Sequence, residues 1–250
     1  MLNIIPVPAF EDNYIWLLHN NSDAVVIDPG DAVPVIATLE KLNLTLAAIL
    51  ITHHHADHIG GVHDLLGFQA VPVYAPQYEK FDFVHTKLTD GDEIYLPEIA
   101  QSFRVMWLPG HTLGHIAYSN DKYLFCGDTL FGAGCGRLFE GTPAQMYQSL
   151  ERLKMLNANT KVFCTHEYTT KNIEFALTLE PDNLDLQARA STVKQLRQRQ
   201  LPSLPSNIAL ELATNPFLRC NQASIIKNSH AVKSDALSVF SAIRTLRNHY

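Results

Sequence analysis

Four side chains that commonly bind metals occur within six residues, in the pattern His53-x-His55-x-Asp57-His58. The apolar segment 46–52 directly precedes them and has the composition of a buried strand. Because side chains at i and i+2 of an extended chain point the same way, His53 and His55 can converge on one metal ion. Asp57 and His58 come as the chain turns and can face a second point. Metal ions about 3.5–4 Å apart act together in hydrolytic enzymes, so the spacing indicates a two-metal site.

Two such sites need more ligands than one segment supplies, and three candidates follow apolar runs elsewhere: His111, Asp128 and His166. A sheet would hold these strand ends at one rim. A carboxylate has two oxygens, so Asp128 is the natural bridge between two metal ions. The set of nitrogen and oxygen donors without a thiolate suits Zn²⁺, and also Fe or Mn. We therefore predict two divalent metal ions per chain, with Zn²⁺ favoured.

The alternative interpretation of the cluster is a His-rich surface loop, but such tracts usually lack a spaced Asp and downstream partners. A single His at a strand end is more often a hydrogen-bonded loop residue, so only the whole set makes these residues ligands. The remaining histidines near the motifs are expected outside the ligand set. We expect His54 to point away from its neighbours, His115 to support the site by packing, and His63 to lie on a helix surface.

Composition excludes several classes of protein. The 250 residues are 46% apolar and carry a net charge of −6, which describes a folded chain rather than a disordered one. This balance argues against a nucleic-acid binder. The apolar runs are too short to span a bilayer, and the N-terminus lacks the pattern of a secretory signal, so a cytoplasmic location is expected. The four cysteines form no close framework, which favours free thiols.

The charge is divided unevenly along the chain. Residues 1–180 contain 10 basic and 21 acidic residues, whereas 181–250 contain 9 basic and 4 acidic residues. Alternating strand and helix patterns fill the first part, and helical patterns dominate the tail. We predict a mixed α and β domain over residues 1–168 and a smaller helical domain over residues 169–250.

The segment Thr52–His58 resembles the T-H-x-H-x-D-H motif of the metallo-β-lactamase superfamily, and the later His and Asp residues complete that superfamily's set. Longer motifs narrow the resemblance to the bacterial form of the glyoxalase II (hydroxyacylglutathione hydrolase) family. They run over nearly the whole chain: Asp12–Tyr14, Pro109–His115, Gly127–Phe131, Gly134–Gly141, Thr165–Thr169 and Asn215–Arg219.

The resemblance implies an α+β fold, a four-layer αββα sandwich with the metals at one edge and a smaller C-terminal helical domain that closes over the substrate. It also distributes the ligands. By family analogy, three residues hold one metal, three hold the other and one bridges them: His53, His55 and His111; Asp57, His58 and His166; and Asp128.

The reaction implied is hydrolysis of the thioester S-D-lactoylglutathione, and of other S-2-hydroxyacylglutathiones, to D-lactate and glutathione. This is the second step of methylglyoxal detoxification, and the attacking group is a hydroxide held by the two metals. Asp57 would orient that hydroxide, and Asp128 would bridge the metals. The basic tail fits this substrate, because glutathione carries two carboxylates that the acidic body cannot attract.

Glutathione-binding positions of the family map onto Arg137, Tyr168 and Arg219. Phe139 stands where mammalian members carry a tyrosine, and Phe cannot donate a hydrogen bond to a carboxylate. The lysine that follows the arginine in those members has no counterpart here. The only partner implied is the small-molecule thioester, and we expect a monomer.

Four other functions remain as competing hypotheses. An exported zinc β-lactamase often carries a Cys where this chain has Asp128, and a tRNA-processing nuclease would need a basic surface. A mono-iron persulfide dioxygenase shares the fold but lacks the second metal site. A non-enzymatic relative would usually have lost ligands. Two metals per chain would favour the hydrolase, and one iron would favour the oxygenase.

Overall fold

The computed structural model describes residues 2–250. Its strands are β1 (Asn3–Ala9), β2 (Asn13–His19), β3 (Asp23–Ile27), β4 (Thr45–Leu50), β5 (Val73–Pro76), β6 (Thr86–Leu88), β7 (Glu93–Leu96), β8 (Gln101–Trp107), β9 (Ile116–Ser119), β10 (Tyr123–Gly127), β11 (Leu130–Phe131), β12 (Gly134–Cys135), β13 (Lys161–Cys164) and β14 (Ser206–Asn207). Its α-helices are α1 (Ala32–Leu42), α2 (Ala56–Ile59), α3 (Val62–Phe68), α4 (Pro143–Lys154), α5 (Thr169–Leu179), α6 (Leu184–Gln198), α7 (Ile208–Thr214), α8 (Ala223–Asn228) and α9 (Ala236–Asn248). Within these residues, no helix combines the length and apolar character needed to cross a membrane.

The first sheet has six strands in the order β1-β2-β3-β4-β5-β6. Strands β1 to β3 pair antiparallel, and β3 to β6 pair parallel. Because β3 and β4 are parallel neighbours joined through α1, these three elements form a β-α-β unit. Pro6 and Pro8 lie in β1 at the sheet edge, where a residue without an N–H group is tolerated. Every residue of β2 is buried, as expected for a strand covered on both faces.

A second six-stranded sheet has the order β14-β13-β10-β9-β8-β7, and β11 with β12 forms a separate two-stranded hairpin. The register of the antiparallel pair β8 and β9 sets Trp107 opposite Ile116. The predicted α+β class is confirmed, because the chain combines two six-stranded sheets with a helical C-terminal region.

Helix boundaries follow from capping residues that the sequence reveals. Asp31 caps α1 by accepting a hydrogen bond from the Val33 backbone N–H. Thr142 and Gln145 form a reciprocal capping box at the start of α4, and Pro143 occupies its first turn. Both helices begin where the sequence predicts them.

One predicted helix is wrong in detail. The sequence predicts a single helix over 59–66, closed by Gly67, but the structure has two short helices, α2 and α3, and Gly67 lies inside the second. Gly60 and Gly61 separate them. A Cβ at Gly61 would lie 2.5 Å from the Ala32 backbone N, so the close approach of the chain to α1 requires glycine there.

Contacts between Cα atoms group the described residues into two units. The first contains residues 2–107, 114–120 and 125–127, and its apolar core includes Ile15, Val26 and Ile49. The second contains residues 108–113, 121–124 and 128–250. Its helices α5 and α6 enclose a smaller cluster that includes Ile173, Leu186 and Val193.

Candidate metal centre

The histidine motif begins where β4 ends, and a buried carboxylate from the neighbouring strand fixes its start. Asp28 follows β3 and adopts a left-handed backbone conformation with φ 53°. It accepts hydrogen bonds from the Thr52 backbone N–H and hydroxyl, both at 2.7 Å. This contact ties two adjacent parallel strand ends together immediately before His53.

The histidines of the motif converge. The distance from His53 Nε2 to His55 Nδ1 is 3.0 Å, and the ring centroids of His53 and His58 are 4.0 Å apart. His58 is fully buried, and its Nδ1 lies 3.0 Å from an oxygen of Asp28. A carboxylate beside one ring nitrogen orients the imidazole and leaves the other nitrogen to face a metal ion.

Asp57 lies in the first turn of α2, and a side chain of β2 holds its carboxylate. Asn13, which is buried, donates from Nδ2 to Asp57 Oδ2 at 3.0 Å. The same oxygen is 3.6 Å from His58 Nε2. Asn13 belongs to the Asp-Asn-Tyr motif of the sequence, so this motif gains a physical role as the anchor of Asp57.

We predict that Asn13→Ala weakens metal binding about 10- to 100-fold, because residues that orient a ligand typically contribute that much. Metal retained during titration with a chelator measures the change. Asn3→Ala, which removes a partly exposed asparagine of the adjacent strand, is the control. Equal retention by the wild type and both variants would show that Asn13 has no such role.

The second half of the predicted set is organised around Asp128. Its Oδ2 lies 3.4 Å from His111 Nε2 and 3.3 Å from His166 Nε2. His111 Nδ1 is 2.8 Å from the carbonyl oxygen of Arg137. A carbonyl only accepts, so Nδ1 carries a proton, and Nε2 is the ring nitrogen left to face a metal ion. All three side chains are buried.

Glycine permits the chain to turn tightly around Asp128. A Cβ on Gly136 would lie 1.9 Å from the carbonyl oxygen of Asp128, so the returning strand of the β11–β12 hairpin can only pass there without a side chain. Gly127, directly before Asp128, has φ 46°. The Gly-Asp and Gly-Cys-Gly motifs of the sequence therefore have one structural cause, which is the close approach of Gly136 to the backbone of Asp128.

The ligating side chains form one set in each unit: His53, His55, Asp57 and His58 in the first, and His111, Asp128 and His166 in the second. The donors are imidazole nitrogens and carboxylate oxygens, with no thiolate, which is a set that Zn, Fe and Mn accept. The residues present thus fit divalent metal ions. All seven predicted ligands occur in these two sets.

Three further histidines near the motifs contact neighbouring side chains. His115 stacks on His53 with ring centroids 4.8 Å apart. His54 Nδ1 is 3.0 Å from Glu79 Oε2, and the exposed His63 is 3.0 Å from Asp82. Each of the three therefore has a contact partner in the structure.

A cavity of about 560 Å³ opens beside the second half of the ligand set. Its lining includes His111, Asp128 and three of the four residues predicted to bind substrate: Arg137, Phe139 and Tyr168. Tyr168 stacks on His166 at 4.7 Å with parallel rings, and the Phe139 ring meets His111 edge-on at 5.2 Å. Two of the predicted metal ligands, His111 and Asp128, therefore form part of the cavity wall.

Basic residues of the tail complete this lining, and no sequence motif marks them. They are Lys171, Arg244 and Arg247. Burial, with the nearby charges of Arg244 and Arg137, lowers the pKa of the Arg247 guanidinium. Positive side chains that lie close together repel one another, and a bound anion would relieve this repulsion. These residues therefore form a candidate anion site. For Arg244 and Arg247, the excess of basic residues after position 180 was the sequence feature that could have indicated such a site.

Arg219, the fourth residue predicted to bind substrate, is not part of this lining. Its guanidinium donates to both oxygens of Glu180, at 2.7 and 2.9 Å, and to the Leu212 carbonyl. The hydrogen bonds that Arg219 donates to Glu180 raise the pKa of the Arg219 guanidinium. The structure thus engages Arg219 in holding the tail helices together, and Arg247 offers the guanidinium at the cavity.

The cysteines are free and buried. Burial raises the pKa of the Cys220 thiol to about 12 and also raises the pKa of Cys135. Thiols with raised pKa values are protonated at neutral pH and make poor nucleophiles. The Cys135 and Cys220 thiols are therefore poor candidates for a nucleophile.

Comparison with known protein families defines the class of the fold. A model of the metallo-beta-lactamase superfamily matches residues 9–166, and a model of the hydroxyacylglutathione hydrolase C-terminus matches residues 167–250. A solved B3 metallo-beta-lactamase, BLEG-1, superposes with a TM-score of 0.65 at 24% identity, over 87% of this chain and 99% of its own. This likeness shows the fold.

Curated relatives then specify the family. A hydroxyacylglutathione hydrolase of Methylobacillus flagellatus is 56% identical over the full length of both chains. Another, from Nitrosomonas eutropha, is 50% identical, again over the full length of both. The chain therefore belongs to the hydroxyacylglutathione hydrolase family of the metallo-β-lactamase superfamily. Among solved structures, TTHA1623 in a di-iron-bound form is 28% identical over 65% of this chain and 91% of its own, with a TM-score of 0.57.

Proposed function

We propose that the protein hydrolyses S-D-lactoylglutathione, and related S-2-hydroxyacylglutathiones, to D-lactate and glutathione, as the second step of methylglyoxal detoxification. The observation that carries this proposal is the shared cavity, in which Arg137, Arg244 and Arg247 line the same space as His111 and Asp128. A thioester with an anionic tripeptide can bind the cations while its carbonyl faces the ligand set. The family membership supports the same substrate.

We assign two metal ions to the seven ligands, following the family's distribution. His53, His55 and His111 would hold one, with Asp128 bridging. Asp57, His58 and His166 would hold the other. When bound, such ions lower the pKa of a water molecule to about 7 and polarise a carbonyl oxygen. We assign Zn²⁺ first. The donor set also accepts Fe and Mn, and the similar protein TTHA1623 has been solved in a di-iron-bound form.

The chain's own groups prepare the reaction. Asn13 fixes the Asp57 carboxylate, which can accept a hydrogen bond from the attacking water and so orient it. The Arg137 carbonyl fixes the tautomer of His111. The leaving glutathione thiolate is weakly basic, so its departure requires no strong general acid. The four cysteines are buried, and we assign none of them a role as a nucleophile.

Recognition of glutathione rests on charge and on shape. Arg247 and Arg137 can bind carboxylates through paired N–H donors, and Tyr168 can donate from its hydroxyl. Phe139 is largely exposed at 61% and contributes apolar contact only, because it has no donor. The guanidinium groups therefore supply the polarity that mammalian family members obtain in part from a tyrosine at this position.

We predict that Arg247→Met raises the KM for S-D-lactoylglutathione about 10- to 100-fold with a much smaller change in kcat, because a charge-assisted contact to substrate contributes about 1.5–3 kcal/mol. Steady-state kinetics measure both constants. The exposed Arg199→Met removes a tail cation outside the cavity lining and serves as the control. A KM equal to that of the control would remove Arg247 from the binding site.

Residues 1–168 are proposed as the catalytic domain and 169–250 as the substrate-binding domain, since the two family models meet between residues 166 and 167. We propose a monomer whose partner is the thioester, without nucleic acid or membrane. The free buried cysteines suit a reducing compartment, which supports a cytoplasmic location.

A substrate panel tests the function. The purified protein would receive S-D-lactoylglutathione, the D-lactoyl thioester of N-acetylcysteamine, and a cephalosporin. We expect kcat/KM for the glutathione thioester to exceed that of the truncated thioester by about 100-fold or more, since the truncated one lacks both carboxylates. Equal values would contradict recognition of glutathione, and faster opening of the β-lactam would favour a β-lactamase.

A further inference from the structure

The hairpin of β11 and β12 is a wall of the substrate cavity. Only two residue pairs join its strands, Leu130 with Cys135 and Phe131 with Gly134. Phe131 and Cys135 line the cavity, as does Arg137, two residues after the hairpin ends. A two-stranded hairpin of this length has little stability of its own. Its position must therefore be set by surrounding residues.

Side chains of the tail hold the backbone of the hairpin turn. Glu211 Oε2 accepts a hydrogen bond from the Ala133 N–H at 2.9 Å. Asn215 Nδ2 donates to the carbonyls of Phe131, at 3.2 Å, and Gly134, at 2.9 Å. Ala133 itself is left-handed, with φ 53°, a conformation that needs such support. The hairpin turn is thus tied to α7 and to the residue directly after it.

The carboxylate at the centre of this network is itself fixed. Glu211 is fully buried, and its Oε1 lies 2.5 Å from the guanidinium of Arg189, which is also buried. The Ser206 hydroxyl donates to the same oxygen. Asn215 Nδ2 also reaches Glu211 Oε2, at 3.0 Å. A buried ion pair with all its donors and acceptors satisfied is a rigid support.

The network reaches the reactive end of the cavity through the hairpin. Phe131 meets the Tyr168 ring at 5.4 Å and the His166 ring at 5.8 Å, in both cases edge-on. At the far end, the carbonyl of Arg137 holds His111. A shift of the hairpin would therefore move groups that contact substrate.

We propose that Glu211 and Asn215 are positioning residues for the glutathione thioester: through the turn at 131–134 they fix the cavity wall that carries Phe131, Cys135 and Arg137. This inference rests on the proposed function for its substrate. It gives the Asn215 of the Asn-Pro-Phe motif a role that the sequence alone did not provide.

Kinetics of Asn215→Ala and Glu211→Gln test the proposal. Asn215→Ala removes the donor to the carbonyls of Phe131 and Gly134. In Glu211→Gln only one end of the amide can accept hydrogen bonds, so the bonds to both Glu211 oxygens cannot be kept. We expect KM to rise about tenfold and kcat to change less than about threefold. Asn207→Ala is the matched control, because it removes the N-cap of the same helix, α7, without touching the hairpin. A KM rise of equal size in the control would reduce the role to helix stability and overturn the proposal.

Hydrogen exchange supplies a readout that does not depend on the substrate. Amides of residues 130–137 should exchange at least about tenfold faster in Asn215→Ala than in Asn207→Ala, with both compared to the wild type. Unchanged exchange in 130–137 would overturn the proposal, even if Glu211→Gln failed to fold. A wild type that does not hydrolyse the thioester, with fast exchange only in Asn215→Ala, would instead place the failure in the proposed function.

Discussion

Asp128→Ala is expected to lower hydrolysis of S-D-lactoylglutathione by more than the roughly 10- to 100-fold cost of losing a residue that only orients a metal ligand. The reason is its central place, since one carboxylate oxygen lies 3.4 Å from His111 Nε2 and 3.3 Å from His166 Nε2. Without it, two imidazoles lose their common partner, and the metal content per chain should also fall. Enzyme assay and metal analysis on one preparation measure the two effects together.

The exposed Asp121→Ala provides the control for Asp128→Ala, because it removes a carboxylate from the turn before β10. We expect it to keep the metal content and the turnover of the wild type. An Asp128→Ala protein with unchanged metal content and near-normal turnover would mean that Asp128 neither bridges metals nor serves the reaction.

Arg189→Leu is expected to lower the free energy of unfolding by about 3–5 kcal/mol, because it leaves the Glu211 carboxylate buried without its cation. Urea denaturation followed by circular dichroism measures the loss. The double variant Arg189→Leu with Glu211→Leu should recover much of it, since an apolar pair of similar volume often replaces a buried ion pair without cost.

The same double variant separates stability from function. It should regain stability but keep a raised KM, because the Ala133 N–H still lacks its acceptor. A single variant that loses less than about 1 kcal/mol would contradict the account of Arg189 and Glu211 as a tight buried pair.

The candidate histidine cluster could be located from the sequence because its signals are local. His53 and His55 follow a strand at a spacing of two, and the capping residues Asp31 and Thr142 mark their own helices. Each of these inferences needs only a few neighbouring residues. The single helix predicted over 59–66 was wrong because Gly60 and Gly61 serve a close approach to α1, which is a tertiary requirement.

The substrate cavity could be predicted only in part. Arg137 and Tyr168 lie in motifs beside ligands, so similarity located them. Arg244 and Arg247 lie on α9, more than a hundred residues after Asp128, and no local pattern links them to the cavity. Arg219 was chosen by its motif, but its pairing with Glu180 depends on the packing of the tail helices. Contacts between residues distant in sequence carry no local signature.

The most direct test of the account is a metal titration of the apoprotein. A chelator would remove bound metal, and Zn²⁺ would then be added stepwise while hydrolysis of S-D-lactoylglutathione is followed by loss of thioester absorbance. The account predicts no turnover in the apoprotein and full turnover at two equivalents per chain. Full turnover at one equivalent, or persistent turnover without metal, would contradict the two-metal hydrolase.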